Sequence, residues 1–340
     1  MSNEYIKAMA FREENYPEVV RIGNELAALE RRSAHDSLKL LITEEGQKKI
    51  DRLKLQKRTG FTLVETLTVL VIITVLLGLL LPAFSRVRRF AKETKQKVQI
   101  TNIGLALTMF KNEYGAYPPS SGWDYTPSAK VPLDYCGAHK LTEALLGWDL
   151  AGFHPYSRFV SDGGDVYSSD EANLRERKDP YLKVATTNTA TLYDLFVADG
   201  VLPDVEPLDP DRFVLCDVFG VKKITLGSRT VKMGAPILYY RANISSKRME
   251  EGEDAPFTGG GIYDYRDNAF LVGLGKIIQP RETPVAHPLG DSVRDFYEYI
   301  KDPRASGATG IPWPYRPQSF LLISAGVDGK YGTPDDITNF

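Results

Sequence analysis

Gly60-Phe61-Thr62-Leu63-Val64-Glu65 places a carboxylate at the head of an apolar run. From Leu67 to Phe84 the chain has 18 positions without a charge, close to the ~20 residues needed to cross a bilayer core. A carboxylate at that depth costs roughly 2.5–3.5 kcal/mol on insertion scales, so Glu65 needs a partner or a function. A cut after Gly60 would free an amine on Phe61, four residues before Glu65, and supply that partner. Lys48, Lys49, Arg52, Lys54, Lys57 and Arg58 precede the run, against the single acid Asp51. The positive-inside rule then keeps the first 60 residues in the cytoplasm and exports the chain beyond Phe84. Pro82 should loosen or bend the outer end of the helix.

Two other sets of residues could do chemistry. Asp328, Asp335 and Asp336 lie within nine residues of one another, on a loop that Gly326, Gly329 and Gly332 allow to fold tightly. Calcium takes six to eight oxygens from carboxylates, carbonyls and water, and these aspartates could supply the charge. The spacing is not that of an EF-hand, since Lys330 and Gly332 occupy its acidic positions. The other reading is a solvated turn in which the aspartates accept from backbone amides. Cys136 and Cys216 both lie beyond the apolar run and could pair in an oxidising compartment or stand as two buried thiols, because separation in sequence carries no geometry. His35, His139, His154 and His287 show no zinc spacing, and neither Gly259-Gly260-Gly261 nor Gly273-Leu274-Gly275-Lys276 has the spacing of a phosphate-binding loop. No Gly-x-Ser-x-Gly elbow is present, and no acid–base pair stands out. The expectation is that the chain is not an enzyme.

A basic residue, then Gly60, then Phe61-Thr62-Leu63-x-Glu65, then an apolar helix, resembles the N-terminus of type IV pilin-like proteins, including the pseudopilins of type II secretion. The resemblance implies cleavage after Gly60 by a membrane prepilin peptidase and methylation of the new N-terminal Phe61. It also implies that Glu65 pairs with the amine of a neighbouring subunit during filament assembly. Gly115-x-Tyr117-Pro118, and the Gly-x-Asp-Gly…Asp-Asp pattern at the C-terminus, resemble the major, or G-type, pseudopilins. In those proteins calcium pins the terminal loop, which would make Asp328, Asp335 and Asp336 its ligands here.

The implied partners are further copies of the chain, the prepilin peptidase, an inner-membrane secretion or pilus assembly platform, and the lipid bilayer. The implied location is the bacterial inner membrane, single-pass, with the N-terminus cytoplasmic and the C-terminal domain periplasmic. Two other functions stay open: a type IV pilus or DNA-uptake pilin, and a membrane-anchored periplasmic binding module or enzyme whose active part is residues 120–340.

These residues need elements to position them. Residues 1–60 form a leader with one or two amphipathic helices, from Val19, Val20, Ile22, Leu26 and Leu29 at helical spacing and from Leu38, Leu40, Leu41 and Ile50. It is longer than pilin-like leaders usually are. Residues 61–84 are the transmembrane and methylation segment. Residues 85–119 are the exposed half of the same helix, with Val87, Phe90, Ala91, Val98, Ile103, Ala106, Leu107 and Phe110 as its apolar face and Lys92, Glu93, Lys95 and Lys97 solvated. The helix should end at Tyr114, since Gly115 can take a left-handed cap and Pro118-Pro119 forbid continuation.

Residues 120–340 form the globular part, of α+β class: the long N-terminal helix packs on a C-terminal antiparallel sheet with large loop insertions. Helices are expected at 139–147 and 291–300, and strands at 212–219, 222–226, 237–242 and 319–324. Residues 120–230 read largely as insertion. The chain carries a net charge of −2, and residues 61–340 hold 30 basic and 34 acidic side chains. That part has no broad basic field, so nucleic acid is not an expected partner.

Overall fold

The computed structural model describes residues 21, 24–32, 62–126, 129–220, 222–226, 229–249, 261–278, 282–290, 292–305 and 312–340. Two compact units divide the chain, Met1–Leu79 and Leu80–Phe340. In the first, residues 24–32 form an exposed helix, α1, with Leu26 and Leu29 open to solvent. Most of the remaining leader lies outside the described residues.

Helix α2 (Leu63–Tyr114, 52 residues) contributes to both units. Its exposed apolar side chains begin at Leu63 and include Leu67, Leu70, Ile72, Leu76 and Leu81. Among the described residues no helix is long and apolar enough to cross a membrane. The uncharged run Leu67–Phe84 includes Leu79, Pro82 and Ala83, whose side chains are outside that description, so the case for a span rests on the sequence. The expected end is where the structure has it: Gly115 takes φ 80°, and its N–H donates to the Lys111 carbonyl at 2.8 Å, the left-handed cap that glycine adopts without a Cβ penalty.

In the second unit the buried seam of α2 is Gln96, Ile100, Ile103, Ala106, Leu107 and Phe110. The expected apolar face also takes in Val87, Phe90 and Val98, but all three are exposed: at 3.6 residues per turn they lie on the side of the helix opposite Gln96, Ile100 and Ile103. Gln96 is the first residue of α2 buried against the globular part, and apolar side chains at threes and fours mark a face of a helix without showing which face is covered.

Four of the seam positions, Ile100, Ile103, Ala106 and Leu107, meet Leu141, Leu145, Leu215, Phe219, Ile237, Tyr239, Phe320 and Leu322 in one apolar cluster. The sheet beneath them is antiparallel, with strand order β7 (Leu238–Arg241), β8 (Phe320–Ser324), β9 (Ile337–Thr338). Leu238 pairs with Ile323 and Arg241 with Phe320, so residues about 80 apart in sequence close the core. Three two-stranded sheets surround it: β1 (Trp123–Thr126) with β2 (Ala129–Pro132), β3 (Thr189–Thr191) with β4 (Phe213–Leu215), and β5 (Lys222–Leu226) with β6 (Arg229–Met233).

This is a mixed helical and small-sheet architecture, consistent with the expected α+β class. The boundaries 222–226 match, while 212–219 shortens to three residues. Strands β1, β2, β3, β6 and β9 are additions to the sequence-based expectation; most are too short for alternation to register.

Helix α3 (Gly137–Leu146) is buried along its whole length. It starts two residues before the expected 139 because Gly137 lies against the sheet: a Cβ there would sit 2.4 Å from the Tyr239 carbonyl oxygen. Gly147 ends it at φ 95°. Helices α4 (Glu171–Glu176), α5 (Ala269–Gly273) and α6 (Val293–Ile300) complete the unit. The Ser292 side chain accepts from the Asp295 N–H to cap α6, which moves its start two residues past the expected 291.

Candidate functional site

Gly60 and Phe61 lie outside the described residues; Glu65 lies inside them. Thr62 is the residue before α2 and Glu65 is its third helical position. The Thr62 N–H donates to Glu65 Oε2 at 2.8 Å, the Thr62 hydroxyl donates to the same oxygen at 2.9 Å, and the Glu65 N–H donates to Thr62 Oγ1 at 3.2 Å. This is a reciprocal capping box, satisfying amides that a helix start leaves open. Its signal in the sequence is Thr62-x-x-Glu65, which a reading centred on the Phe61 amine misses. Glu65 therefore has a local partner before any second chain arrives. The carboxylate sits at the positive end of the helix dipole, which favours the anion.

The globular part grips α2 by its polar side chains as well as by the seam. Gln99 Nε2 donates to the Cys216 carbonyl at 2.9 Å, the Val218 N–H donates to Gln96 Oε1 at 3.0 Å, and Lys92 Nζ donates to the Phe219 carbonyl at 3.2 Å. The segment 216–219 divides its backbone groups: the Cys216 and Asp217 amides stay on the Asn188 and Ala235 carbonyls, while the Cys216 and Phe219 carbonyls and the Val218 amide turn to the helix. At the far end, Glu113 accepts from Tyr181 at 2.6 Å and from Lys178 at 2.7 Å, tying the last turn to the inserted region.

The C-terminal loop is closed by its own aspartates. Asp335 Oδ2 accepts from the amides of Val327 and Asp328, at 2.8 and 2.9 Å, and Asp335 Oδ1 from the Thr333 hydroxyl at 2.7 Å. Asp336 Oδ2 accepts from the Gly332 amide and the Tyr299 hydroxyl, both at 2.7 Å. Asp328 Oδ1 accepts from the Lys330 amide at 2.7 Å. Burial works to raise Asp335, but the bonds from Thr333 and the two amides outweigh it and hold the carboxyl below its ordinary value. Burial lifts Asp336 to about 6.

Tyr331, fully buried, donates its hydroxyl to the Pro236 carbonyl, and its N–H donates to His287 Nδ1 at 3.1 Å. Among the described residues no three His, Cys, Asp or Glu side chains are gathered to hold a metal ion. The three aspartates accept from backbone amides of the loop in this structure.

Cys136 and Cys216 are separate, fully buried thiols, not a disulfide. Both belong to one apolar cluster, and burial pushes Cys136 up to about 11 and Cys216 higher still. Cys136 begins α3, where its N–H donates to His139 Nδ1 at 3.3 Å. Burial, with the charges of Arg212 and Lys140, lowers His139 to about 3, so it is neutral.

Two aspartates that no sequence motif singles out are buried acids. Asp217 is raised to about 7 by burial and accepts from the Phe219 amide at 2.9 Å. Asp267 is raised to about 8 by burial and the nearby Asp264, and accepts from the Ser120 hydroxyl. Each is hydrogen-bonded into the core, a structural use of a buried carboxyl.

Comparison with known proteins bears on one end of the chain. No curated protein and no solved structure matches it. Residues 55–81 match the family model described as the prokaryotic N-terminal methylation motif. The matched segment contains Gly60, Phe61 and Glu65 together with the first part of α2. The chain carries the N-terminal motif of a type IV pilin-like precursor.

Proposed function

We propose that the chain is a structural filament subunit of the major pseudopilin type, made as a precursor and assembled in the bacterial inner membrane for type II secretion. Prepilin peptidase cuts between Gly60 and Phe61, the new amine is methylated, and the mature chain starts one residue before the Thr62–Glu65 cap. Helix α2 holds the subunit in the bilayer through Leu67–Phe84 and later packs against α2 of other copies. Glu65 then meets the Phe61 amine of a neighbour. A buried charge that finds its opposite in only one register disfavours every other register. The observation that carries this reading is the methylation motif over residues 55–81. The Gly115-x-Tyr117-Pro118 helix end and the clasped C-terminal loop favour the secretion filament over a type IV pilus, a reading that shares the same motif.

The test is the N-terminus and mass of the protein recovered from its native membrane. A chain beginning at methylated Phe61 supports the proposal. A chain that keeps residues before Phe61 removes it and leaves an anchored domain whose function lies in residues 120–340.

A further inference from the structure

Cations flank the apolar run on both sides. Six precede it between Lys48 and Arg58, against Asp51. Six come after it, Arg86, Arg88, Arg89, Lys92, Lys95 and Lys97, against Glu93. The near-flank charge is equal, so the positive-inside preference by itself does not account for the second group. Their placement on α2 is ordered. At 3.6 residues per turn, the six cations occupy an arc of about 200°, while Phe84, Val87, Phe90, Ala91 and Val98 fill the opposite arc of about 120°. The buried residues Gln96, Ile100 and Ile103 fall within the cationic arc, so the cations lie on the side of the helix that carries the globular part.

The positions also have a depth. Arg86, Arg88 and Arg89 come two to five residues after the last position of the apolar run, and from Arg86 to Arg89 the helix rises about 5 Å. A bilayer of ~40–45 Å with a ~30 Å core leaves about that thickness for one headgroup layer. All three arginines are exposed. Arg88 lies 4.7 Å over the Phe84 ring, and Arg89 pairs with Glu93 at 2.8 Å. Lys92 is held higher, on the Phe219 carbonyl.

We propose that Arg86 and Arg88, supported by Arg89 and Lys95, form a binding collar for anionic phospholipid headgroups in the leaflet beneath the globular part. Guanidinium groups take phosphate in bidentate geometry, and long cationic stems on an apolar helix end reach to the headgroup level. The collar holds the subunit at the membrane and fixes its depth. It must release its lipid when α2 leaves the bilayer for a filament. The inference rests on the membrane reading of Leu67–Phe84.

The test uses the full chain in nanodiscs of phosphatidylcholine and phosphatidylglycerol at 7:3, probed with spin-labelled versions of each lipid. Motionally restricted phosphatidylglycerol should exceed phosphatidylcholine several-fold. Each cation near an anionic surface is worth about fivefold, so Arg86→Gln with Arg88→Gln should bring the two lipids close to parity, while Lys48→Gln with Lys49→Gln should leave the preference intact. Equal restriction of both lipids by the unaltered chain, or a preference lost only with the lysines, overturns the collar while leaving the anchor standing. Alkaline carbonate extraction of the unaltered chain from vesicles separates the two ideas: a chain that washes off has no span, and the anchor and the collar fail together.

Discussion

Thr62 and Glu65 hold one another: the threonine hydroxyl gives its proton to Glu65 Oε2 and takes the Glu65 amide proton in return, at 2.9 and 3.2 Å. The carboxylate proposed to draw in a second subunit is thus already oriented by its own helix start. An oriented carboxylate loses less freedom when the neighbour's amine arrives, so the cap lowers the cost of pairing.

The two residues should then separate in a mutational test. Glu65→Ala should still be cut after Gly60 but fail to enter filaments. Thr62→Val keeps the carboxylate and removes the cap, at about 1 kcal/mol. It should be processed and assemble with reduced efficiency. Filament yield from sheared cells, read beside the processed and unprocessed bands, checks both. Normal incorporation of Glu65→Ala would end the pairing idea.

Gly137 tests how α3 is seated. An alanine inside a helix ordinarily gains up to about 1 kcal/mol over glycine. Here the added Cβ would sit 2.4 Å from the Tyr239 carbonyl oxygen, a backbone atom that cannot rotate away. Overpacking of this kind costs about 1–3 kcal/mol, so Gly137→Ala should destabilise the globular unit. Gly273, also helical, has no heavy atom within 4 Å of such a Cβ, and Gly273→Ala should be neutral or slightly stabilising. Urea unfolding of both variants decides it.

Asp217 gives a pH dependence with a definite sign. Its folded value of about 7 stands above the ordinary 3.8, because burial penalises the anion. Below pH 3.8 both folded and unfolded carboxyls are protonated. Between there and pH 7 only the unfolded one ionises, so this residue's share of stability is present in acid and is lost as pH rises through that window. Asp217→Asn cannot ionise. Relative to the unaltered chain it should gain on the order of a few kcal/mol from pH 4.5 to pH 7.5. Identical differences at the two pH values would mean that Asp217 titrates as an ordinary carboxyl.

The C-terminal clasp depends on Asp336. Asp336→Ala leaves the partly buried Gly332 amide and Tyr299 hydroxyl without this acceptor, at about 1 kcal/mol for each hydrogen bond lost. The variant should melt earlier and lose C-terminal residues to carboxypeptidase faster than the unaltered chain. Unchanged digestion would show that Tyr331 and Asp335 alone hold the loop.

The sequence by itself determined what adjacent residues decide: the uncharged run Leu67–Phe84, the Gly60-Phe61-x-x-x-Glu65 spacing, and the stop at Tyr114 written in Gly115 and Pro118-Pro119. The Thr62–Glu65 cap is legible in the same way, as a threonine three residues before a glutamate, although a charge at the head of an apolar run points first to the amine. Lys222–Leu226 is legible as a strand because its alternation is local.

Tertiary structure alone decided the rest. The stretch expected to be a strand at 212–219 is regular only over Phe213–Leu215, and beyond it the backbone is shared between Asn188 and Ala235 on one side and Gln96, Gln99 and Lys92 of α2 on the other. Val87, Phe90 and Val98 belong to the expected apolar face and are exposed, since the globular part covers the opposite side of α2, at Gln96, Ile100 and Ile103. The thiols of Cys136 and Cys216 stay apart within one apolar cluster, and the aspartates of the C-terminal loop turn to its amides. In each case the deciding partner lies elsewhere in the chain or is a backbone group, and burial and hydrogen-bond demand act only once folding has brought the two together.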